Sequence, residues 1–206
     1  MIVKICGIRS LEMAKAAETA GADFIGFVFA KSRRFIKPGL AEKISKAVPG
    51  VKKVGVFVNA AIDSVKQIVE VCQLDYVQLH GSESEEYCRA VGCPVIKAFR
   101  FGDDFSVERA NAYPSAIILV DSGSQLQPGG TGEKFAWQEA ATGLALLNKS
   151  FIIAGGLAVG NVREAMELFR PYGIDVSGGV ETDGVKSATK IYEFIQVVRK
   201  NEWRVS

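Results

Sequence analysis

Two side chains able to move protons stand at the ends of apolar, strand-like runs. Cys6 closes Ile2-Val-Lys-Ile-Cys6, and Asp121 closes Ala116-Ile-Ile-Leu-Val-Asp121. A carboxyl that emerges from an apolar run is partly desolvated. Desolvation raises its pKa from a reference of about 3.9 towards what a general acid needs at neutral pH. The same aspartate could instead cap a loop or a helix. A free thiol has a pKa of about 8.5, so Cys6 acts as a base only with a lowered pKa or a favourable partner. Lys4 shares its face by strand alternation, and an ammonium there favours the thiolate. Gly7 could admit a substrate close to the sulfur. Taken alone, however, the residues favour a small buried thiol that packs the interior.

A third feature is a repeated unit near the C-terminal end: Phe151-Ile-Ile-Ala-Gly-Gly-Leu157, then Ile174-Asp-Val-Ser-Gly-Gly-Val-Glu181. A glycine pair directly after a strand lets the backbone approach a ligand and take φ > 0 without penalty. Its N–H groups, with a following helix N-terminus, suit an anion such as phosphate. One such unit reads as a tight turn. Two in successive strand–helix units match the phosphate site that many (β/α)8 barrels build after strands 7 and 8. Arg33 and Arg34 could grip a carboxylate or phosphate bidentately, although loop arginines are commonly just solvated. His80, the only histidine, stands at a strand end before Gly81 and reads better as a hydrogen-bonded wall residue than as the base. Cys72, Cys88 and Cys93 fall on helices or their ends and read as core.

These groups need a scaffold that brings strand ends together. Runs rich in Val, Ile and Phe predict eight strands: Ile2–Cys6, Asp23–Phe29, Lys53–Val58, Tyr76–His80, Val95–Arg100, Ala116–Asp121, Phe151–Ala154 and Ile174–Ser177. Between them lie helical stripes, among them Met13/Ala16/Ala17/Ala20, Ile62/Val65/Ile68/Val69, Val162/Ala165/Met166/Phe169 and Ile191/Phe194/Ile195/Val198. Ser82-x-x-Glu85 has the form of a capping box for the helix after strand four. Strands alternating with helices imply parallel pairing through right-handed crossovers. Eight units of about 25 residues close into an α/β fold, a single (β/α)8 TIM barrel spanning 1–206. A doubly wound sheet is the alternative, but the first strand lacks a Gly-x-Gly-x-x-Gly turn. The long glycine-rich stretch Ser122–Lys134 after strand six reads as a functional loop, or else as a disordered tip.

Composition narrows the function classes. The 206 residues are 48 % hydrophobic and 23 % charged, as in an ordinary soluble protein. A formal net charge of +2 gives no reason to expect nucleic acid or a membrane surface as a partner. The opening Met-Ile-Val-Lys does not read as a signal peptide, and no apolar run nears the roughly 20 residues that span a bilayer. Four cysteines without a Cys-x-x-Cys pair, and one histidine, support neither a disulfide framework nor a metal site. The expectation is a reduced, cytoplasmic protein acting on a small molecule.

Motifs in order along the chain then resemble one family, the phosphoribosylanthranilate isomerases. They are Lys4-Ile-Cys-Gly7, Gly26-Phe-Val-Phe29, Ser32-Arg-Arg34, Gly55-Val-Phe-Val-Asn59, Val77-Gln-Leu-His-Gly81, Ile96-Lys-Ala98 and Leu119-Val-Asp121. They continue with Gly129-Gly-Thr-Gly132, Ala154-Gly-Gly-Leu157 with Asn161-Val162, Asp175-Val-Ser177 and Gly179-Val-Glu181. The resemblance implies a cofactor-free Amadori rearrangement in tryptophan biosynthesis. Asp121 would be the general acid and Cys6 the general base. Arg34 would hold the anthranilate carboxylate, and the backbone N–H groups of Gly156, Ser177, Gly178 and Gly179 would hold phosphate. Lys4, His80 and Gly130 would contribute to the substrate site, with the glycine-rich loop closing over it. The partner would be a phosphorylated small molecule and the assembly a monomer or homodimer. Two departures stand out: Ser177-Gly178-Gly179 replaces the family's usual Ser-Ser-Gly, and Phe135-Ala136-Trp137 lacks the usual acidic or amide residue at its centre. The competing expectations are a histidine-pathway type sugar-phosphate isomerase, which would carry Asp in place of Cys6, and a barrel that only binds a phosphosugar.

Overall fold

In the computed structural model, residues 1–101, 105–121 and 140–202 are described. Gly130 and the rest of Ser122–Lys134, together with Phe135-Ala136-Trp137, lie outside them. Eight parallel strands form a closed barrel in chain order. They are β1 Ile2–Cys6, β2 Phe24–Val28, β3 Lys52–Phe57, β4 Tyr76–Leu79, β5 Val95–Arg100, β6 Ile117–Asp121, β7 Phe151–Ala154 and β8 Gly173–Val176. Helices follow the strands: α1 Leu11–Ala20, α2 Pro38–Ala47, α3 Ile62–Cys72, α4 Glu85–Ala90 and α5 Val107–Ala112. A short helical stretch at residues 140–144 (α6), then α7 Val162–Phe169 and α8 Ala188–Lys200, complete the ring. No described helix is long and apolar enough to cross a membrane.

The strand alternation sorts side chains into two layers. Val3, Ile5, Ile25, Phe27, Ile153 and Ile174 point outward and pack against the helices. Phe24, Val54, Ile96, Ala98, Ile117, Leu119, Ile152 and Ala154 fill the barrel interior. The stripes on α7 and α8 are buried as their spacing predicts, with Ile191, Phe194, Ile195 and Val198 all at 0 % exposure. Helix α1 instead buries Met13, Ala14 and Ala17, so Ala14 takes the place expected of Ala16. The expected cap of α4 also moves. Ser84, not Ser82, accepts from the Tyr87 N–H, while Ser82 donates its own N–H to Asn59 Oδ1. A serine adjacent to the first helical residue reaches N3, and Ser82 lies two residues too early. Cys72 and Cys88 are buried, and Cys93 is half-buried in the turn after α4.

One buried ion pair shapes the rim. Lys97 points outward from β5, where its Nζ donates to Glu83 Oε2 at 2.9 Å and to the carbonyls of Leu79 and Gly81. Glu83 in turn accepts the N–H groups of Asn59 and Gly81. Burial pushes the Glu83 carboxyl up, but the Asn59 N–H and Lys97 outweigh it and hold Glu83 below the usual range. This network ties the loops after β3 and β4 to β5, on either side of His80. Lys97→Met strands the Glu83 charge in the interior and should cost about 3–5 kcal/mol in urea unfolding. A loss below about 1 kcal/mol would show that the pair contributes little.

Candidate active site

A cavity of about 800 Å³ opens at the C-terminal ends of the strands. Cys6, Arg34, Gln78, His80, Asp121, Gly156 and Ser177 to Gly179 all line it. That volume suits a drug-sized ligand. The structure therefore brings most of the described candidates together; Lys4 does not line the cavity but is fully buried against Asp175, which does, and Arg33 lies outside it.

Lys4 faces Asp175 across the seam between β1 and β8, Nζ to Oδ2 at 2.9 Å, and both side chains are buried. Burial works against the Lys4 charge, yet Asp175 and Cys6 more than offset it and its pKa is raised. The consequence for Cys6 differs from the sequence-based expectation. Burial pushes the thiol up, Lys4 and Lys186 oppose, and Asp175 adds to the rise, so the resting thiol lies above its ordinary value. Lys4 directs its ammonium to Asp175 and does not by itself make a thiolate. Gly26 on β2 provides the space: a Cβ there would lie 2.9 Å from Cys6 Sγ and 3.2 Å from Lys4 Nζ.

On the opposite wall, His80 Nε2 stands 3.5 Å from Asp121 Oδ2. The Gln78 amide nitrogen lies 3.0 Å from His80 Nδ1. With that amide donating, Nδ1 accepts and the ring proton sits on Nε2, facing Asp121 Oδ2. Asp121 is about a quarter exposed, at the mouth of the cavity and not deep in the apolar interior.

The two glycine pairs differ in design. Gly155 and Gly156 take φ of 91° and 59°, as expected. Asn161 locks their turn, accepting the Ala158 N–H and donating to the Gly156 carbonyl. Gly178 and Gly179 do not have positive φ; they open a single 3-10 turn, Gly178–Val180. A helical start leaves its first N–H groups without an intrahelical partner, and Ser177, Gly178 and Gly179 line the cavity. Gly179 is glycine for close approach, because a Cβ would sit 1.9 Å from the Leu157 carbonyl oxygen. Gly178 is different: a Cβ would meet only Arg34 Nη2 at 3.5 Å, an ordinary contact. Ser177 spends its hydroxyl on the Cys6 carbonyl at 3.0 Å, joining this turn to β1.

Arg34 lies across Gly7, where a Cβ would come within 2.5 Å of its Cδ. The room expected for substrate beside Gly7 is thus taken by the arginine. Arg34 Nε and Nη2 bind Glu181 at 2.6 and 2.9 Å. Lys186 Nζ binds the same carboxylate at 2.8 Å, and exposed Arg33 reaches it at 3.1 Å. Burial pushes Glu181 up, but hydrogen bonds from Arg34 and Lys186 hold it at about 2. The strands β9 Glu181–Thr182 and β10 Val185–Lys186 form the hairpin that carries this group.

Sequence reasoning missed Gln78, Asp175, Glu181 and Lys186 as parts of the site. Gln78 and Asp175 had a usable signal, since each lies two residues before a candidate and shares its face. Glu181 closed the Gly179-Val-Glu181 motif, but neither it nor Lys186 had a periodic signal, because a two-residue strand leaves none.

Fold and site together define a (β/α)8-barrel protein whose pocket sets a thiol and a carboxyl across from glycine-built backbone turns. The family model for N-(5'-phosphoribosyl)anthranilate isomerase matches residues 3–197. The chain is 45 % identical over 196 residues to the N-(5'-phosphoribosyl)anthranilate isomerase of Bacillus cereus (strain AH187), covering 95 % of this chain and 96 % of that one. Monomers generated from the dimeric isomerase of Thermotoga maritima superpose with TM-score 0.83 at 36 % identity, covering 97 % of this chain and 100 % of theirs. A third isomerase, solved with reduced 1-(o-carboxyphenylamino)-1-deoxyribulose 5-phosphate, gives TM-score 0.84 at 37 % identity, with 97 % and 100 % covered. The chain belongs to the N-(5'-phosphoribosyl)anthranilate isomerase family, enzymes of tryptophan biosynthesis.

Two outcomes follow from this geometry. Gly178→Ser should leave affinity for inorganic phosphate within about twofold, while Gly179→Ala, which must displace the Leu157 backbone, should weaken it at least roughly tenfold. Equal effects in a competition assay would contradict the packing. Glu181 ionises well below its ordinary 4.5 in the folded chain. The stability it contributes is therefore complete above about pH 4.5 and is lost as pH falls towards about 2. Between about pH 5 and 2 the wild type should lose roughly 3 kcal/mol more than Glu181→Gln in denaturant titrations. Parallel curves would show that the carboxylate is not held this way.

Proposed function

We propose that this chain converts N-(5-phospho-β-D-ribosyl)anthranilate to 1-(2-carboxyphenylamino)-1-deoxy-D-ribulose 5-phosphate, with Asp121 as general acid and Cys6 as general base. The observation that supports it best is the placement of the two groups on β6 and β1, lining one cavity beside the turns after β7 and β8. Asp121 gives its proton to the ribose ring oxygen, and the C1–O bond breaks to leave a Schiff base. Cys6 removes the C2 proton, and the electron pair moves into the C1–C2 bond to form an enolamine. Protonation at C1 and loss of the C2 hydroxyl proton complete the ketone. C1 is reduced as C2 is oxidised, so the rearrangement is internally balanced.

The remaining residues hold the substrate. The N–H groups of Gly156, Ser177, Gly178 and Gly179 take the phosphate. Arg34 has five N–H donors, enough to donate to Glu181 on one edge and to the anthranilate carboxylate on another. His80 steadies the Asp121 carboxyl. Burial and Asp175 raise the Cys6 thiol, and Lys4 and Lys186 oppose the rise, so these cations favour release of its proton. One catalytic domain over 1–206, as monomer or homodimer, suffices for this chemistry.

Asp121→Asn and Cys6→Ser should each lower kcat by roughly 10²–10⁴ while leaving product affinity nearly unchanged. Arg34→Ala should chiefly raise KM. Decay of the substrate's anthranilate-type fluorescence reads all three. Near-normal turnover in either of the first two would remove that residue from its role, and an unchanged KM would remove Arg34.

A further inference from the structure

We propose that Lys186 is a positioning residue that couples the phosphate-side turn to the arginine clamp and keeps a positive charge beside Cys6. The proposal rests on the reading of Cys6 as the base and Arg34 as the carboxylate holder.

The β9–β10 hairpin is small: two residues per strand, joined by Asp183 and Gly184 at φ of 51° and 77°. A hairpin of this size is at best marginally stable alone, so its contacts with the barrel decide where it sits. Its main anchor is Lys186, whose side chain is 4 % exposed. Nζ donates to the Ser177 carbonyl at 2.9 Å, lies 3.2 Å from Ser177 Oγ, and pairs with Glu181 Oε1 at 2.8 Å. Ser177 opens the turn assigned to phosphate and reaches the Cys6 carbonyl, while Glu181 grips Arg34. One ammonium therefore touches the supports of both ends of the substrate and, through Ser177, is linked to the main chain of the base.

An apolar side chain would anchor a hairpin at lower cost, since burying an ammonium costs several kcal/mol before pairing. A charge retained in such a place points to an electrostatic role. The groups facing Cys6 show what that role is. Lys4 on β1 is matched by Asp175 on β8, and Arg34 after β2 is matched by Glu181 on β9. Asp121 and His80 face each other on the far wall. Lys186 on β10 is the further buried cation, linked to the Cys6 main chain through the Ser177 hydroxyl, and its charge opposes the rise in the Cys6 pKa. Its charge balances the thiolate that forms when Cys6 takes up its role as base.

The test uses the full chain and phosphoribosylanthranilate, with kcat/KM followed across pH. Its rising limb reports the base in the free enzyme. Lys186→Gln, which keeps a hydrogen bond to Ser177 but no charge, should move that limb up by about one pH unit. At neutral pH this lowers kcat/KM about tenfold, mostly through kcat. Lys186→Arg should leave the limb in place, and Glu181→Gln, which strips a counter-charge, should move it down. Lys186→Met should add a rise in the inhibition constant for inorganic phosphate. A folded Lys186→Gln with an unmoved limb overturns the proposal, as does a Glu181→Gln limb that stays or moves up. Cys6→Ser separates the two levels: if turnover and limb survive it, the assignment of Cys6 itself fails.

Discussion

The Lys4–Asp175 ion pair sits where the first strand meets the last, and the rest of the site is arranged around it. Lys4 and Asp175 are register partners across the β1–β8 seam, so the bond that completes the barrel also forms the pocket floor. Two charges taken from water are offset there by their contact at 2.9 Å, although Asp175 Oδ1 is left without a hydrogen-bond partner among the described residues. Cys6, two residues further along β1, inherits that environment. It is deep enough for its proton to be held tightly and close enough to cations for the proton to be removable. Gly26 makes the arrangement possible, since a methyl group there would displace both sulfur and ammonium.

From that floor the rim is built by loops that are locked before any ligand arrives. Asn161 fixes the turn after β7, Ser177 fastens the turn after β8 to β1, and Glu83 with Lys97 ties down the loops on either side of His80. Preorganised backbone N–H groups need no reordering as charge develops on the substrate. The cost of fixing them is met by buried polar networks, and these occupy the loops rather than the apolar interior. The apolar lower half of the barrel therefore serves stability and the upper half serves chemistry, as in other barrels of this class.

Much of this could be read from the chain before the structure. Alternating Val/Ile runs and amphipathic stripes located all eight strands to within a residue or two, because parallel strands buried on both faces leave a strong apolar signature. The strand ends then pointed to Cys6, Asp121, His80 and Ser177. What escaped was mostly polar and non-local. Asp175 meets Lys4 only because the barrel closes, and Glu181 meets Arg34 across 147 positions of sequence. The cap of α4 was displaced by two residues because two serines, Ser82 and Ser84, compete there and only backbone geometry chooses Ser84. An ammonium beside Cys6 was expected to favour the thiolate, and Lys4 does oppose the rise, but burial and Asp175 outweigh it. Pairwise inference from one strand cannot see a competitor supplied by another.

Under the proposed assignment, Asp121 and Cys6 move different protons in successive steps. Single-turnover kinetics with substrate carrying deuterium at ribose C2 tests it most directly. In Cys6→Ser the C2–H cleavage becomes limiting, and the isotope effect should be fully expressed. In Asp121→Asn ring opening becomes limiting, and the effect should collapse towards unity. Isotope effects of equal size in the two variants would contradict the division of labour between the thiol and the carboxyl.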